Sequence, residues 1–102
     1  MFYKIRDKAA NLSEKVTSKK NNWQVYIILC SDNSFYTGIT TDLQRRFIQH
    51  KNKKGAKYFY GREPLNIVFT EEGHNRSSAG KREYEIKSYT RLEKIALVKS
   101  EQ

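Results

Sequence analysis

Trp23-Gln24-Val25-Tyr26-Ile27-Ile28-Leu29-Cys30 and Phe35-Tyr36-Thr37-Gly38-Ile39-Thr40 flank the turn residues Ser31-Asp32-Asn33-Ser34. Both runs are dense in aromatic and β-branched residues and read as strands, and the polar tetrad between them makes the pair a hairpin. Along the first run Val25, Ile27 and Leu29 share one face, and Tyr26, Ile28 and Cys30 share the other. Apolar residues on both faces predict a sheet covered on both sides.

Outward toward the C-terminus, Thr41-Asp42-Leu43-Gln44 has the form of a capping box with Thr41 as N-cap, opening a helix to about His50. Leu43 and Phe47 form its apolar side, while Asp42, Arg46, Gln49 and His50 lie on another. Residues 51–62 are basic, glycine-punctuated and aromatic and read as an irregular loop. Leu65 to Thr70 reads as a third strand, residues 71–76 as a second loop, and Ser77 as the N-cap of a helix to about Ser88. Thr90-Arg91-Leu92-Glu93 is another capping box and opens a last helix through about Val98. Toward the N-terminus, Phe2, Ile5, Ala9, Leu12 and Val16 recur at helical spacing, and a polar linker ends at Asn22. That helix either packs its stripe on the domain or serves as a basic arm to phosphates. The expected order is helix, hairpin, helix, strand, helix, helix, an α/β fold with a small antiparallel sheet. The expected division is an N-terminal basic amphipathic helix and linker (1–22), a main domain (23–98) and a tail (99–102).

The chain has 102 residues, the size of one domain, and a net charge of +9. The excess is clustered. Residues 1–22 carry +4, residues 51–64 carry +4, residues 76–102 carry +3, residues 65–75 carry −2, and residues 23–50 are neutral. Such clustering points to an anionic partner, with nucleic acid first. The longest apolar run, Val25 to Cys30, is far short of a membrane span, and no membrane partner is expected. No secretory leader is visible, and the one cysteine, Cys30, supports neither an internal disulfide nor a thiolate zinc site. A reduced, cytoplasmic domain is the expectation.

The residues that could carry chemistry lie mostly in the neutral segment. Gly38 ends the Tyr36-Thr37-Gly38 run and allows close backbone approach. Arg46 follows Tyr36 by ten residues and can swing back toward the strand end, where Tyr26 can face the same side. Two phenols and a guanidinium suit phosphate chemistry, because Arg binds phosphate oxygens in a bidentate fashion and a nearby cation lowers a phenol pKa. Ala79, Glu83, Ile86 and Thr90 form one helical stripe, which turns Glu83 toward an apolar side. A carboxylate there is costly unless paired or metal-bound. It suits a divalent cation, and equally an ion pair with Arg82, Lys87 or Arg46. Lys53, Lys54, Lys57, Tyr58 and Arg62 of the basic loop, with Arg45 beside Arg46, are candidate contacts to nucleic acid. His74 reads as a loop residue without a role, and Cys30 as a buried strand residue.

Gln24-Val25-Tyr26, Tyr36-Thr37-Gly38, Arg46 and Glu83-Tyr84-Glu85-Ile86-Lys87 together resemble the GIY-YIG nuclease superfamily, in particular its compact standalone members. The resemblance spans about Trp23 to Val98. It implies a three-stranded antiparallel sheet flanked by helices, and metal-dependent hydrolysis of DNA phosphodiester bonds. By that resemblance Tyr26 and Tyr36 are the motif tyrosines, one of which activates the attacking water. Arg46 holds the scissile phosphate, His50 occupies a helix position in or near the site, and Glu83 is the ligand of Mg2+ or Mn2+. Gln24 stands in place of the first motif glycine, Thr37 in place of an isoleucine, and Ile39 where some repair members have a lysine.

Two classes of function follow. The first is a divalent-metal-dependent endonuclease acting on DNA, with branched and single-stranded DNA among its candidate substrates and DNA repair or recombination as its setting. The second is a nucleic-acid-binding module with little or no cleavage. In either case a protein partner could supply targeting, since the chain carries no appended zinc or helix-hairpin-helix domain.

Overall fold

The computed structural model describes residues 21–101. The expected N-terminal helix lies outside the described residues. Three strands and three helices follow one another: β1 (Trp23–Cys30), β2 (Phe35–Thr40), α1 (Leu43–Lys51), β3 (Pro64–His74), α2 (Arg76–Lys87) and α3 (Arg91–Ser100), with a short 3-10 turn at Lys57–Tyr60 before β3. The sheet has the order β2-β1-β3, antiparallel throughout.

The hairpin turn forms where its chemistry predicted. Asn33 takes a left-handed φ of 69°, a conformation that asparagine tolerates better than most residues. The Asp32 carboxylate accepts from the Ser34 hydroxyl and backbone N–H. The register then sets Tyr26 opposite Gly38 and Ile28 opposite Tyr36.

The central strand is buried on both faces, as expected. Val25 and Ile27 join Phe69 of β3 and Ala79 and Ile86 of α2 in one cluster. Tyr26, Ile28 and Cys30 join Phe59 in the other, against which Leu43 and Phe47 of α1 pack. Thr37, in the isoleucine position of the motif, is buried, and its hydroxyl has no partner among the described residues.

Three boundaries differ from the sequence expectation. The N-cap of α1 is Asp42, whose carboxylate accepts from the Arg45 N–H at 3.2 Å, not Thr41. The Thr40 hydroxyl accepts the Asp42 N–H, which moves the cap one residue onward. Asp and Thr are both good caps, so local chemistry alone does not separate them. Second, β3 continues through the expected loop at residues 71–76 as far as His74, because Trp23 and Val25 pair with His74 and Glu71. An edge strand can be polar where one side meets solvent. Third, α2 is capped by Asn75 instead of Ser77, in a reciprocal box with Ser78. The Thr90–Glu93 box is found as read, and α3 extends to Ser100.

Candidate active site

Tyr26 stands in the middle of β1, almost fully buried at 1% exposure. It fits because its cross-strand neighbour is glycine. A methyl group at Gly38 would lie 2.5 Å from the Tyr26 hydroxyl oxygen, so any larger residue must displace the ring. The Tyr26 hydroxyl lies 2.9 Å from Nε2 of His50 on α1. His50 is fully buried, and its Nδ1 has no partner among the described residues. Half-buried Tyr36 closes the group, with ring centres 6.3 Å from Tyr26 and 5.1 Å from His50. Phe59 backs both Tyr36 and His50, at 4.9 and 4.4 Å.

Arg46 reaches the same place from one turn earlier on α1. Its Nη1 donates to the Gln49 side-chain carbonyl at 3.0 Å. Gly55, at φ 100°, passes behind the guanidinium, and a methyl there would come within 2.9 Å of Nη1. Both glycines therefore make room for functional side chains.

The electrostatics record the convergence. Burial raises the Tyr26 pKa well above the ordinary phenol value, the neighbouring Tyr36 adds to the rise, and Arg46 opposes it. Burial raises Tyr36 as well, with Arg46 and Lys87 pulling it down and Glu83 pushing it up. Burial and the Arg46 charge push His50 down to about 4, so it is neutral at pH 7. The Glu83 charge acts on both tyrosines, which puts α2 within electrostatic reach of residues on β1 and β2. Glu83 keeps the Ala79–Ile86 flank it was expected to share, and of the possible cationic partners it is Lys87 that pairs with it, at 3.0 Å.

The depressed His50 pKa carries a consequence for stability. The unfolded chain binds a proton at this imidazole near pH 6.5 and the folded chain only near pH 4. The stabilisation from holding His50 neutral is therefore present above pH 6.5 and is lost as the pH falls between those values, by up to about 3 kcal/mol. Chemical unfolding at several pH values should show this loss in the native chain and not in His50→Phe. Parallel pH dependences in the two would contradict it.

Among the described residues no group of three or more His, Cys, Asp or Glu side chains gathers to hold a metal ion. The donor set fits a cation of the Mg2+ type all the same. Such ions keep several waters and bind through one or two carboxylates plus substrate phosphate oxygens. Glu83 offers the one carboxylate, with Lys87 sharing it.

The proposed nucleic-acid contacts divide into two groups. Arg45, Lys54 and Lys57 are exposed. Lys53 instead takes a left-handed φ of 61° and binds Glu63 at 2.8 Å and the Arg62 carbonyl. Arg62 pairs with Asp32 at 2.7 Å and lies over the Tyr58 ring. Tyr58 donates to the Ser34 hydroxyl at 2.6 Å and packs on Tyr36. These three residues brace the loop against the hairpin. The opposite face also holds a correction. His74 is a strand residue that ties Glu71 to Ser78, at 2.9 and 2.8 Å, and so joins β3 to the start of α2. The supporting roles of Gln49, Gly55 and Phe59 are not what the sequence suggests, since Phe59, among the aromatics of the basic loop that read as base-stacking, is fully buried. Only Gln49, one turn beyond Arg46, carried a signal.

A strand-borne tyrosine pair, a helix arginine and a carboxylate on the next helix are set around a three-stranded antiparallel sheet, the arrangement by which the domain is classed. Residues 22–96 match the family described as the GIY-YIG catalytic domain, and the chain belongs to that family. It is similar to a UPF0213 protein of Staphylococcus epidermidis, 49% identical over 74 residues, covering 72% of this chain and 90% of the relative. A UPF0213 protein of Cronobacter sakazakii is 48% identical over 79 residues, covering 78% and 83%. The solution NMR structure of the UPF0213 protein BH0048 from Bacillus halodurans is 44% identical, with a TM-score of 0.49, covering 76% of this chain and 82% of that one. Among the described residues no helix is long and apolar enough to cross a membrane.

Proposed function

We propose that the chain is an endonuclease that hydrolyses DNA phosphodiester bonds with one divalent cation, Mg2+ or Mn2+. The observation that carries this reading is the convergence of Tyr26, Tyr36, Arg46 and His50, with the Glu83 charge acting on both phenols.

Arg46 binds the oxygens of the scissile phosphate with paired N–H donors. Gln49 orients the guanidinium before substrate arrives, in the space that Gly55 leaves for it, so its alignment needs little further ordering. Glu83 holds the cation. When bound, the cation supplies charge to a phosphoryl oxygen and eases deprotonation of water. Both phenols are protonated at neutral pH, because burial raises them. In that state they donate hydrogen bonds that orient water and phosphate. His50 is neutral and lies 2.9 Å from the Tyr26 oxygen, close enough to exchange a proton with it. That contact gives Tyr26 a route to act as an acid or base that Tyr36 has only through Tyr26 or water.

One observation favours the second reading, a binding module without cleavage. Lys87 already occupies the Glu83 carboxylate. A domain this small would rely on its loops or on a protein partner for targeting, and on branched or single-stranded intermediates of repair or recombination for substrate. Cys30, free and buried, suits the reducing cytoplasm.

The test incubates supercoiled plasmid and branched DNA with the full chain. Cleavage should begin on addition of Mg2+ or Mn2+ and stop with a chelator. Intact binding without cleavage on any substrate would support the binding module instead.

A further inference from the structure

The catalytic proposal leaves unused a cavity bordered by Arg46 and a second one that shares two of its lining residues. The first, about 220 Å3, is bounded by Trp23, Thr41, Arg45, Arg46 and Gln49 among others. The second, about 310 Å3, is bounded by Asn21, Asn22, Trp23, Gln24, Thr41 and Glu72 together with Gly73. Trp23 and Thr41 border both, so the cavities adjoin there and form one groove. It leads from the phosphate-binding arginine, past an indole, to a cluster of side-chain amides.

The chemistry changes along its length. At the Arg46 end the groove is lined by two arginines, Arg45 and Arg46, matched in charge to a phosphate backbone. In the middle stands Trp23, packed on one side against the core cluster of Val25 and Ile27. The exposed Arg76 guanidinium lies over its ring at 5.1 Å from the centre, a cation that a stacked base would displace or share. At the far end Asn21, Asn22 and Gln24 carry paired donors and acceptors suited to base edges. Two carboxylates also border the groove. Asp42 is committed to the Arg45 N–H as helix cap. Glu72 is exposed at the amide end, where it would repel phosphate and accept from an exocyclic amino group.

A duplex stacks its bases inside and offers sugar and phosphate outside, so it makes no use of an aromatic ring in such a groove. An unpaired strand offers a π-face at every base, and stacking on aromatic side chains is how single strands are held without sequence preference. We propose that this groove seats the unpaired DNA strand leading away from the phosphate on Arg46, with one base stacked on Trp23. The proposal rests on Arg46 as the phosphate site and names the substrate class of that site: DNA single-stranded on one flank of the cut.

Trp23 is the chain's one tryptophan, so its fluorescence reports the contact directly. The full chain is titrated, without divalent metal, with a short oligodeoxythymidylate and with a blunt duplex of equal length. The single strand should quench Trp23 at a concentration about tenfold or more below the duplex. Thr41→Glu, which places a charge where the cavities meet, should raise that concentration about tenfold and leave thermal unfolding unchanged. Trp23→Ala should weaken capture of a labelled single strand about tenfold, with folding checked by circular dichroism. Equal quenching by duplex, or binding of the labelled strand without quenching, would overturn the groove. Quenching with no cleavage under any metal would keep the groove and remove the catalytic reading. Metal-dependent cleavage of single strands without quenching would do the reverse.

Discussion

Glu83→Ala is expected to lower metal-dependent cleavage by about 10³-fold while leaving DNA affinity nearly unchanged. The asymmetry follows from the position of the carboxylate. Glu83, on the neighbouring helix, is the acidic group whose charge acts on both phenols. Its removal takes away the one carboxylate proposed to hold the cation, but no contact to DNA. It also removes a negative charge from a phosphate site and frees Lys87 from its 3.0 Å pair, so affinity could rise slightly and should not fall. Stability should change little, because a part-exposed ion pair contributes about 0–1 kcal/mol. Single-turnover cleavage beside fluorescence-anisotropy binding separates the two effects. Loss of both together would mean that Glu83 supports the fold.

Arg46→Ala is expected to lower cleavage by about 10³-fold as well, and in this case to weaken binding by about tenfold. A positioned guanidinium that meets developing charge on phosphate contributes more to the transition state than to the ground state. Arg46→Lys should recover binding and little activity, because an ammonium lacks the planar fork that Gln49 orients in the space Gly55 leaves. The substitution has a second readout. The Arg46 charge helps depress His50 and opposes the rise of both tyrosines. Its loss should move the His50 titration, followed by NMR, toward higher pH. An unmoved titration would separate Arg46 from the tyrosine–histidine pair.

The hairpin was legible because every signal in it agreed. Val25 and Ile27 against Tyr26 and Ile28 gave two buried faces, and Asp32-Asn33-Ser34 gave the turn. Helix starts were legible only where a single capping residue was available. Thr90 was found, whereas Asp42 beside Thr41 and Asn75 beside Ser77 were confused, because tertiary placement chooses among equivalent caps. The extension of β3 to His74 could not be read from Glu71-Glu72-Gly73, since edge-strand pairing is set by the partner Trp23 and not by local propensity.

That Tyr26, Tyr36 and Arg46 come together was legible from their spacing, but their chemical state was not. His50 reads from the sequence only as a helix position in or near the site, and its burial against Phe59 is a contact made across the loop. Lys53, Tyr58 and Arg62 looked free for DNA and are occupied by Glu63, Ser34 and Asp32. In each case the deciding partner is distant in sequence, and composition does not reveal such pairs. The candidate contacts that remain exposed are Arg45, Lys54 and Lys57.

The most direct measurement is a metal-started nicking assay on supercoiled plasmid, with the native chain and Glu83→Ala purified in parallel. The account predicts nicking by the native chain that requires Mg2+ or Mn2+, and none above background by the variant. Equal nicking in both lanes would contradict it.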